Sequence, residues 1–434
     1  VSETVRGRQV FVAALASIFG WGLDLFDLFI LLYVAPVVGK LFFPADNPML
    51  SLAAIYASFA VTLLIRPLGA ALFGSLADRG GRRRALMIAV VGVGVSTAAF
   101  GLLPTVATAG WVASALFLVL RLVQGVFVGG VVASSHTIGT ESVPERWRGL
   151  MSGAVGGGGS ALGGLCASLV LYLVTRAAPG PAFADWGWRV MFFSGLLTSV
   201  VGLLLFRGLE ESPIFVAAQA RREARRAAPR TPLGALFSRA HRGAFLLNLA
   251  LTFGAGAGYY LTSGYLPTFL NVARHVPGTQ ASLILVVANL TAAAGALSAG
   301  ALSQRIGRKP VFLLAGVARL AAFPLLYLAM GTAQDLWLLA AETVALSFVA
   351  NASYGHLLIF LNERFPTELR ATGTGLSWNV GFALGGMMPT FVSLAASGAS
   401  SLASVLAIFC TGVSVVYLAG AIAVPETRGN LVRG

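Results

Sequence analysis

The sequence predicts an all-α membrane protein, with twelve transmembrane helices arranged as two pseudo-symmetric six-helix bundles. Three observations predict it. The 434 residues are 57% hydrophobic and only 11% charged, with a mean hydropathy of +0.83. Soluble domains carry roughly 25% charged residues, so most of this surface faces something other than water. The apolar residues are gathered into twelve runs near the length that crosses a bilayer, about 20 residues. Finally, two short motifs of the first half return in the second half at a nearly constant offset.

The runs lie near residues 11–38, 51–76, 85–104, 111–140, 150–175 and 189–207, then 243–270, 280–303, 311–330, 335–361, 371–396 and 400–424. Several exceed the bilayer minimum, which implies tilt or extension past the hydrocarbon. Lysine and arginine sort by side. Loops on the N-terminal side hold 23 of them, the opposite loops hold four, and three arginines lie inside spans. That split is a positive-inside signal. It predicts a multi-pass protein of the cytoplasmic (inner) membrane with both termini and the central loop inside. The formal charge of +14 is then topology, and nucleic acid is not an expected partner. The first span is too long for a cleavable signal sequence, carries two aspartates and lacks a small-residue cleavage site. Cys166 and Cys410 fall in spans five and twelve, which argues against a disulfide.

The longest polar stretch, 208–242, contains Arg221, Arg222, Glu223, Arg225 and Arg226. It divides the chain into an N-terminal bundle (1–207), a basic linker set against anionic lipid headgroups, and a C-terminal bundle (243–434). Gly74-Ser-Leu-Ala-Asp78-Arg79-Gly-Gly81-Arg82-Arg83 follows span two, and Gly300-Ala-Leu-Ser-Gln304-Arg305-Ile-Gly307-Arg308-Lys309 follows span eight, 226 residues later. Glu141-Ser-Val-Pro144-Glu-Arg-Trp-Arg148 follows span four, and Glu363-Arg-Phe-Pro366-Thr-Glu-Leu-Arg370 follows span ten, 222 residues later. Two motifs repeating after matching spans mark a duplicated six-helix unit, an architecture that places a midplane site between the halves.

These residues resemble the major facilitator superfamily over essentially the whole chain. The 74–83 loop is similar to its signature. Glu141…Arg148, Glu363…Arg370, Leu209-Glu-Glu-Ser-Pro213 and Pro425-Glu-Thr-Arg-Gly429 resemble the punctuation of its sugar-porter-like branch. Within that branch, Leu23-Asp24-Leu-Phe-Asp27, Arg66-Pro67-Leu-Gly69, Arg121-Leu-Val-Gln124-Gly125 and the stretch Arg370 to Asn379 are most similar to bacterial metabolite:proton and sialate/lactate:proton symporters. The resemblance implies proton-coupled uptake of a small organic acid or zwitterion, with no cofactor beyond the proton gradient. It also implies a gate latch on the inner side, formed by Gly74, Asp78, Arg79, Arg82, Glu141, Arg148, Glu363 and Arg370. Gly74 lets helices approach, and Asp78 at a helix end can meet the N-terminal dipole of a neighbour. Gln304 stands where the second copy would carry an acid, so that latch is expected to be weaker.

The mechanism is expected among ionisable groups inside spans, each of which costs roughly 2.5–3.5 kcal/mol on insertion scales and faces a partner or a water-filled cavity. These are Asp24, Asp27, Arg66, Arg121, Arg319 and Glu342, with His136 and His356 read as packing residues. Depth proposes partners. Asp27 and Arg121 lie 11 and 10 residues from the outer ends of spans one and four, and Asp24 and Arg66 lie 14 and 15 residues in. At about 1.5 Å per residue these pairs are level, and Asp24 and Asp27, three apart, share one helix face. Arg319 and Glu342 match less well, about five residues apart in depth, and are expected as a structural pair. A carboxylate beside a guanidinium stays ionised, whereas one without a counterion in apolar surroundings takes a proton. Asp27 is therefore expected to carry the proton with Arg121 as partner and Asp24 beside it. Arg121 or Arg66, once freed, can meet a substrate carboxylate with its guanidinium fork.

Polar groups with apolar bodies suit a small amphiphilic acid. Tyr260, Tyr354 and Asn379 are the foremost cavity candidates, with Trp378 beside them and Arg319 and Glu342 also at bilayer depth. Asn248, Tyr259, Tyr265, Asn289 and Asn351 are further polar groups in the same spans. One deep glutamine, Gln124, and the absence of a paired glutamine in span seven disfavour a polyhydroxylated sugar. The glycine-rich run 153–164 lacks the Gly-Lys-Ser/Thr ending of a phosphate loop, and its Gly153/Gly157 and Gly159/Gly163 spacings predict close helix packing. No loop carries a nucleotide motif, metal-ligand cluster or catalytic triad, so an enzyme is not expected. The reading is a monomeric proton symporter of a small organic anion that works by rocking two bundles. A proton-coupled exporter of amphiphilic compounds and a non-transporting membrane sensor are the alternatives.

Overall fold

A computed structural model describes residues 3–80, 82–141, 143, 145–207, 236–239, 241–365 and 367–429. Nearly all of the expected linker, including the 209–213 motif, lies outside them. Gly74, Asp78, Arg79, Arg82, Glu141 and Arg370, with His136, fall within described helices but outside the residues whose side chains are described.

Twelve helical segments follow one another, and the described residues contain no strand. They are α1 (Glu3–Phe42), α2 (Pro48–Gly80), α3 (Arg82–Phe100), α4 (Trp111–Glu141), α5 (Arg148–Ala177) and α6 (Phe183–Leu204), then α7 (Arg242–Ala273), α8 (Gly278–Ile306), α9 (Arg308–Thr332), α10 (Leu336–Arg364), α11 (Thr367–Gly386 continued by Met388–Ala395) and α12 (Leu402–Ala423). Ten are long and apolar enough to cross a membrane. The shorter apolar Met87–Phe100 of α3 and the two pieces of α11 complete the twelve. Helices run past the apolar runs at both ends because nothing in the polar flanks breaks them. The helical part of α1 begins eight residues before the expected span and ends four after it.

Helix pairing carries the duplication. In the first half α2 packs on α4, α1 on α5 and α3 on α6; in the second, α8 packs on α10, α7 on α11 and α9 on α12. Each pairing returns six helices later. The halves meet along α5 against α8 and α2 against α11, again a matched set.

Lipid tails give helices no hydrophobic reason to associate, so close packing through small residues does that work. The glycine run of α5 shows it. Side chains at Gly153 and Gly157 would collide with Ala296 of α8, and at Gly159 and Gly163 with the α1 backbone at Ile18 and Gly22. One run thus serves two neighbours, one in each half. It also holds a π-turn, Ala154–Gly158. Further π-turns interrupt α7 at Tyr260–Gly264 and Phe269–Ala273, around Pro267, and α10 is broken at residues 353–356. Such interruptions gather at functional sites, and those of α5, α7 and α10 flank the centre of the molecule.

Candidate substrate and proton site

The site begins with one face of α1. Trp21, Asp24 and Asp27 follow at intervals of three and point inward, all buried. Asp24 forms an ion pair with Arg66 of α2, Oδ2 to a terminal guanidinium nitrogen at 3.6 Å. Equal depth on adjacent helices brings these two together as expected. The geometry is loose: Asp24 Oδ1 and Arg66 Nε are buried without a hydrogen-bond partner.

Asp27 and Arg121 do not pair, contrary to expectation. They border the same chamber, along with Thr62, Gln124 and Val128, yet Arg121 donates to Gln124 Oε1 at 2.7 Å, and its guanidinium lies over the rings of Phe100 (4.2 Å) and Phe117 (5.1 Å). Gln124 in turn donates to Thr97 Oγ1 at 2.7 Å. Asp27 faces Thr97 and Thr198, and neither carboxylate oxygen has a hydrogen bond. The physical reason is competition. An amide one turn along the same helix, plus two ring faces, holds the guanidinium away from the carboxylate of α1, although its Nε and one terminal nitrogen keep no hydrogen bond.

Above Asp24 a small, partly open cavity lies between the halves. Asp24 and Arg66 form its polar floor, Asn379 contributes an amide, and the walls are aromatic. Trp378 stacks on Phe382 at 3.9 Å and meets Trp21 edge-on at 5.5 Å; Tyr354 lies 5.6 Å from Trp378 and stacks on Tyr259 at 5.5 Å. Tyr260 completes the wall. The four cavity candidates, Tyr260, Tyr354, Trp378 and Asn379, therefore come together. Tyr259, named as a further polar group of its span, joins them, and so do Trp21 and Phe382, which were not singled out. Of those two only Trp21 gave a signal, its place one turn before Asp24.

Arg319 and Glu342 are neither paired nor on this cavity. Arg319 is fully buried inside the second half, donating to the Gly254 carbonyl (2.8 Å) and Ser414 Oγ (3.2 Å), with Tyr417 and Phe323 against its faces. Glu342 is half-buried elsewhere on α10, where Arg274 is the cation acting on it. Their mismatch in depth was real, and the carbonyl of α7 supplies what the carboxylate was expected to supply. The other polar groups of these spans hold helices together. Asn289 donates to Tyr33 and Ser168 across the halves, Asn351 donates to Ser263, and Tyr265 bonds Ser393. His356 is fully buried against the Phe312 ring at 4.1 Å, with neither nitrogen hydrogen-bonded. Both cysteines are free.

The cavity is bounded toward each end by contacts between halves. Toward one end, Tyr56 bonds Thr268 at 2.6 Å and stacks on Tyr265 at 5.1 Å. Toward the end carrying the basic loops, Gln304 Oε1 accepts the Gly149 N–H at 3.2 Å, and the Ile359 N–H donates to Ser152 at 3.2 Å. At that basic end Glu363 receives Arg308 through two bonds, Nε at 3.1 Å and NH2 at 3.0 Å, while Gln304 receives Arg308 as well at 2.9 Å. Glu426 of the 425–429 motif accepts the N–H groups of Arg308 and Lys309, the first turn of α9. Gly307, which precedes that turn at φ +106°, has no side chain to cap it, and a Cβ there would press on Glu426. Burial acts to raise the Glu426 carboxyl. The N–H donors of Arg308, Arg428, Lys309 and Thr427 outweigh that and hold it below the usual carboxylate range.

Comparison with known proteins agrees with this architecture. Residues 10–390 match the model of the Major Facilitator Superfamily. The chain is 30% identical over 428 residues to the proline/betaine transporter of Escherichia coli (strain K12), covering 97% of this chain and 85% of that one. It is 28% identical over 433 residues to the glycine betaine/proline/ectoine/pipecolic acid transporter OusA of Dickeya dadantii (strain 3937), covering 98% and 85%. These relatives are named for zwitterions, and the expected likeness to sialate/lactate symporters gives way to them. The partially occluded, inward-open xylose transporter XylE of E. coli superposes with a TM-score of 0.75 at 20% identity, covering 97% of this chain and 99% of that one, which shows the fold. With its duplicated six-helix units and central cavity between them, this chain is a transporter rather than an enzyme, and it belongs to the major facilitator superfamily.

Proposed function

We propose that the protein is a proton-coupled symporter of small carboxylates, with zwitterions of the betaine and proline type as its preferred substrates. The observation that carries this reading is the Asp24–Arg66 pair set in the floor of an aromatic-walled cavity, next to a second buried acid, Asp27, whose oxygens have no hydrogen bond. Arg66 can exchange Asp24 for a substrate carboxylate, since its Nε is unpartnered and a guanidinium fork suits that group. The faces of Trp21, Trp378 and Tyr354 suit a quaternary or secondary ammonium, which aromatic rings attract without requiring a hydrogen bond. The names of the relatives support this choice of class.

Asp27 carries the coupled proton in this reading. An ionised carboxylate buried without a hydrogen bond or counterion is costly, so the geometry described accommodates the neutral acid. Loss of the proton leaves a charge that Arg121, in the same chamber, can neutralise. The halves, 1–207 and 243–434 joined by 208–242, rock about the cavity with the linker and termini on the cytoplasmic side of the inner membrane. Asp78, Arg79, Arg82, Glu141, Arg148 and Arg370 guard that side with Glu363.

Uptake into proteoliposomes tests the reading. Acid outside should drive accumulation of labelled glycine betaine above equilibrium, and Asp27→Asn should abolish accumulation above equilibrium. A wild-type protein that equilibrates the substrate without responding to the gradient refutes symport, and full accumulation by Asp27→Asn refutes the assignment of the proton.

A further inference from the structure

We propose that Gln124 is a positioning residue for proton coupling, holding Arg121 away from Asp27 while Asp27 is protonated and releasing it when the proton leaves. This role presupposes the symport reading above, in which Asp27 is the carrier. Gln124 is 3% exposed and uses both ends of its amide, accepting from Arg121 at 2.7 Å and donating to Thr97 at 2.7 Å. Among uncharged side chains an amide can accept from a guanidinium and donate to a hydroxyl at once. It therefore links the cation of α4 to the α3 hydroxyl that faces Asp27.

Each neighbour keeps something in reserve. Arg121 Nε and NH2 are buried without hydrogen-bond partners, and so are both oxygens of Asp27. Thr97, having accepted from Gln124, still has its own proton to donate. The charged groups bordering this chamber are Asp24 on α1, Arg66 from α2 and Arg121 from α4, and α3 and α6 present the hydroxyls of Thr97 and Thr198. Arg66 is engaged by Asp24, so Arg121 is the cation left for Asp27. When the carboxyl O–H breaks and its proton passes to solvent, the carboxylate offers Arg121 an anionic acceptor, where Gln124 Oε1 offers a neutral one. The amide then loses the contest it wins in the geometry described. Its strength as a competitor sets the pH at which the exchange occurs.

The sign of two substitutions tests this. Gln124→Leu removes the competitor, so Arg121 pairs with Asp27 more readily and protonation requires more acid. Gln124→Glu supplies an anionic competitor that keeps Arg121, so Asp27 holds its proton into more alkaline solution. Initial glycine betaine uptake measured against external pH should move its midpoint by about one pH unit in opposite directions, a shift within the range that a nearby charge produces. Substrate-induced thermal stabilisation of each purified variant checks that it is folded. Midpoints that stay at the wild-type value, or move the same way, overturn the positioning role, whatever happens to the maximal rate. Should Gln124→Leu not fold, Gln124→Glu decides alone, an alkaline shift supporting the role and any other result refuting it. If wild type lacks pH-dependent accumulation, or Asp27→Asn keeps it, the symport reading is what has failed.

Discussion

At the scale of single residues, the cavity separates charge recognition from shape. Arg66 offers a fork to a carboxylate, while Trp21, Trp378 and Tyr354 offer ring faces to a cation, and among the described residues Asp24 is the one acid in the wall. Trp378 stacks on Phe382 and contacts both Trp21 and Tyr354, so it organises the wall. Trp378→Ala should raise the KM for glycine betaine roughly 2- to 30-fold, the equivalent of a cation–π contact of about 0.5–2 kcal/mol. A carboxylate lacking the cationic nitrogen should lose less, and parallel uptake kinetics with both substrates would show the difference. The sequence made part of this legible. Depth along a helix predicts level, and level sufficed for Asp24 with Arg66 because α1 and α2 are neighbours. It says nothing about direction around the helix or about what else competes. Asp27 with Arg121 failed on competition from Gln124, and Arg319 with Glu342 failed because a backbone carbonyl stood nearer. Phe382 was hidden among 28 phenylalanines, since an aromatic in a membrane helix carries no mark of whether it faces lipid or ligand.

Among helices, the informative features are the places where regularity stops. The π-turns of α5 and α7 and the break in α10 leave backbone groups unpaired within the helix, which only a surrounding of protein can satisfy at this depth. Tyr354 shows how this is done, its hydroxyl reaching the Gly156 carbonyl at the π-turn of α5 (3.1 Å) as well as Ser160 (3.0 Å). Glycine spacing foretold close packing of α5, but the positions of the breaks were illegible, because apolar runs read as continuous whether the hydrogen bonding shifts register or not. The capping of α9 was equally hidden, since its cap lies more than a hundred residues away. The structure assigns it to Glu426, and a pH dependence follows. The Glu426 carboxyl is held below its ordinary value near 4.5, so its contribution to stability is complete above that value and fades as pH falls through the lowered one. Glu426→Gln should cost about 0.5–2 kcal/mol at neutral pH, the range for a lost N-cap. Wild type and variant should converge in acid, which thermal unfolding at several pH values would reveal.

For the molecule as a whole, the duplication was the most legible feature, because two motifs at matched offsets fix the symmetry without any knowledge of contacts. Helix pairings that repeat six helices later confirm it. The seam between the halves was not legible, and its chemistry matters. Both ion pairs among the described residues, Asp24–Arg66 and Arg308–Glu363, lie within one half. The hydrogen bonds described as crossing it, Tyr56 to Thr268, Asn289 to Tyr33 and Ser168, Tyr354 to Ser160 and Gly156, Ile359 to Ser152, and Gln304 to Gly149, involve no charged side chain among the described residues. Dissolved electrolyte weakens attractions between exposed charges, with a Debye length near 8 Å at about 0.15 M, but it has little hold on buried hydroxyls and amides. The rate at which substrate-loaded protein exchanges its contents across the bilayer should therefore vary less than about twofold as potassium chloride rises from about 0.01 to 0.5 M, a range over which exposed ion pairs are strongly screened. A steep dependence on electrolyte, measured by exchange of labelled betaine at fixed pH, would mean that charges outside the described seam set the pace.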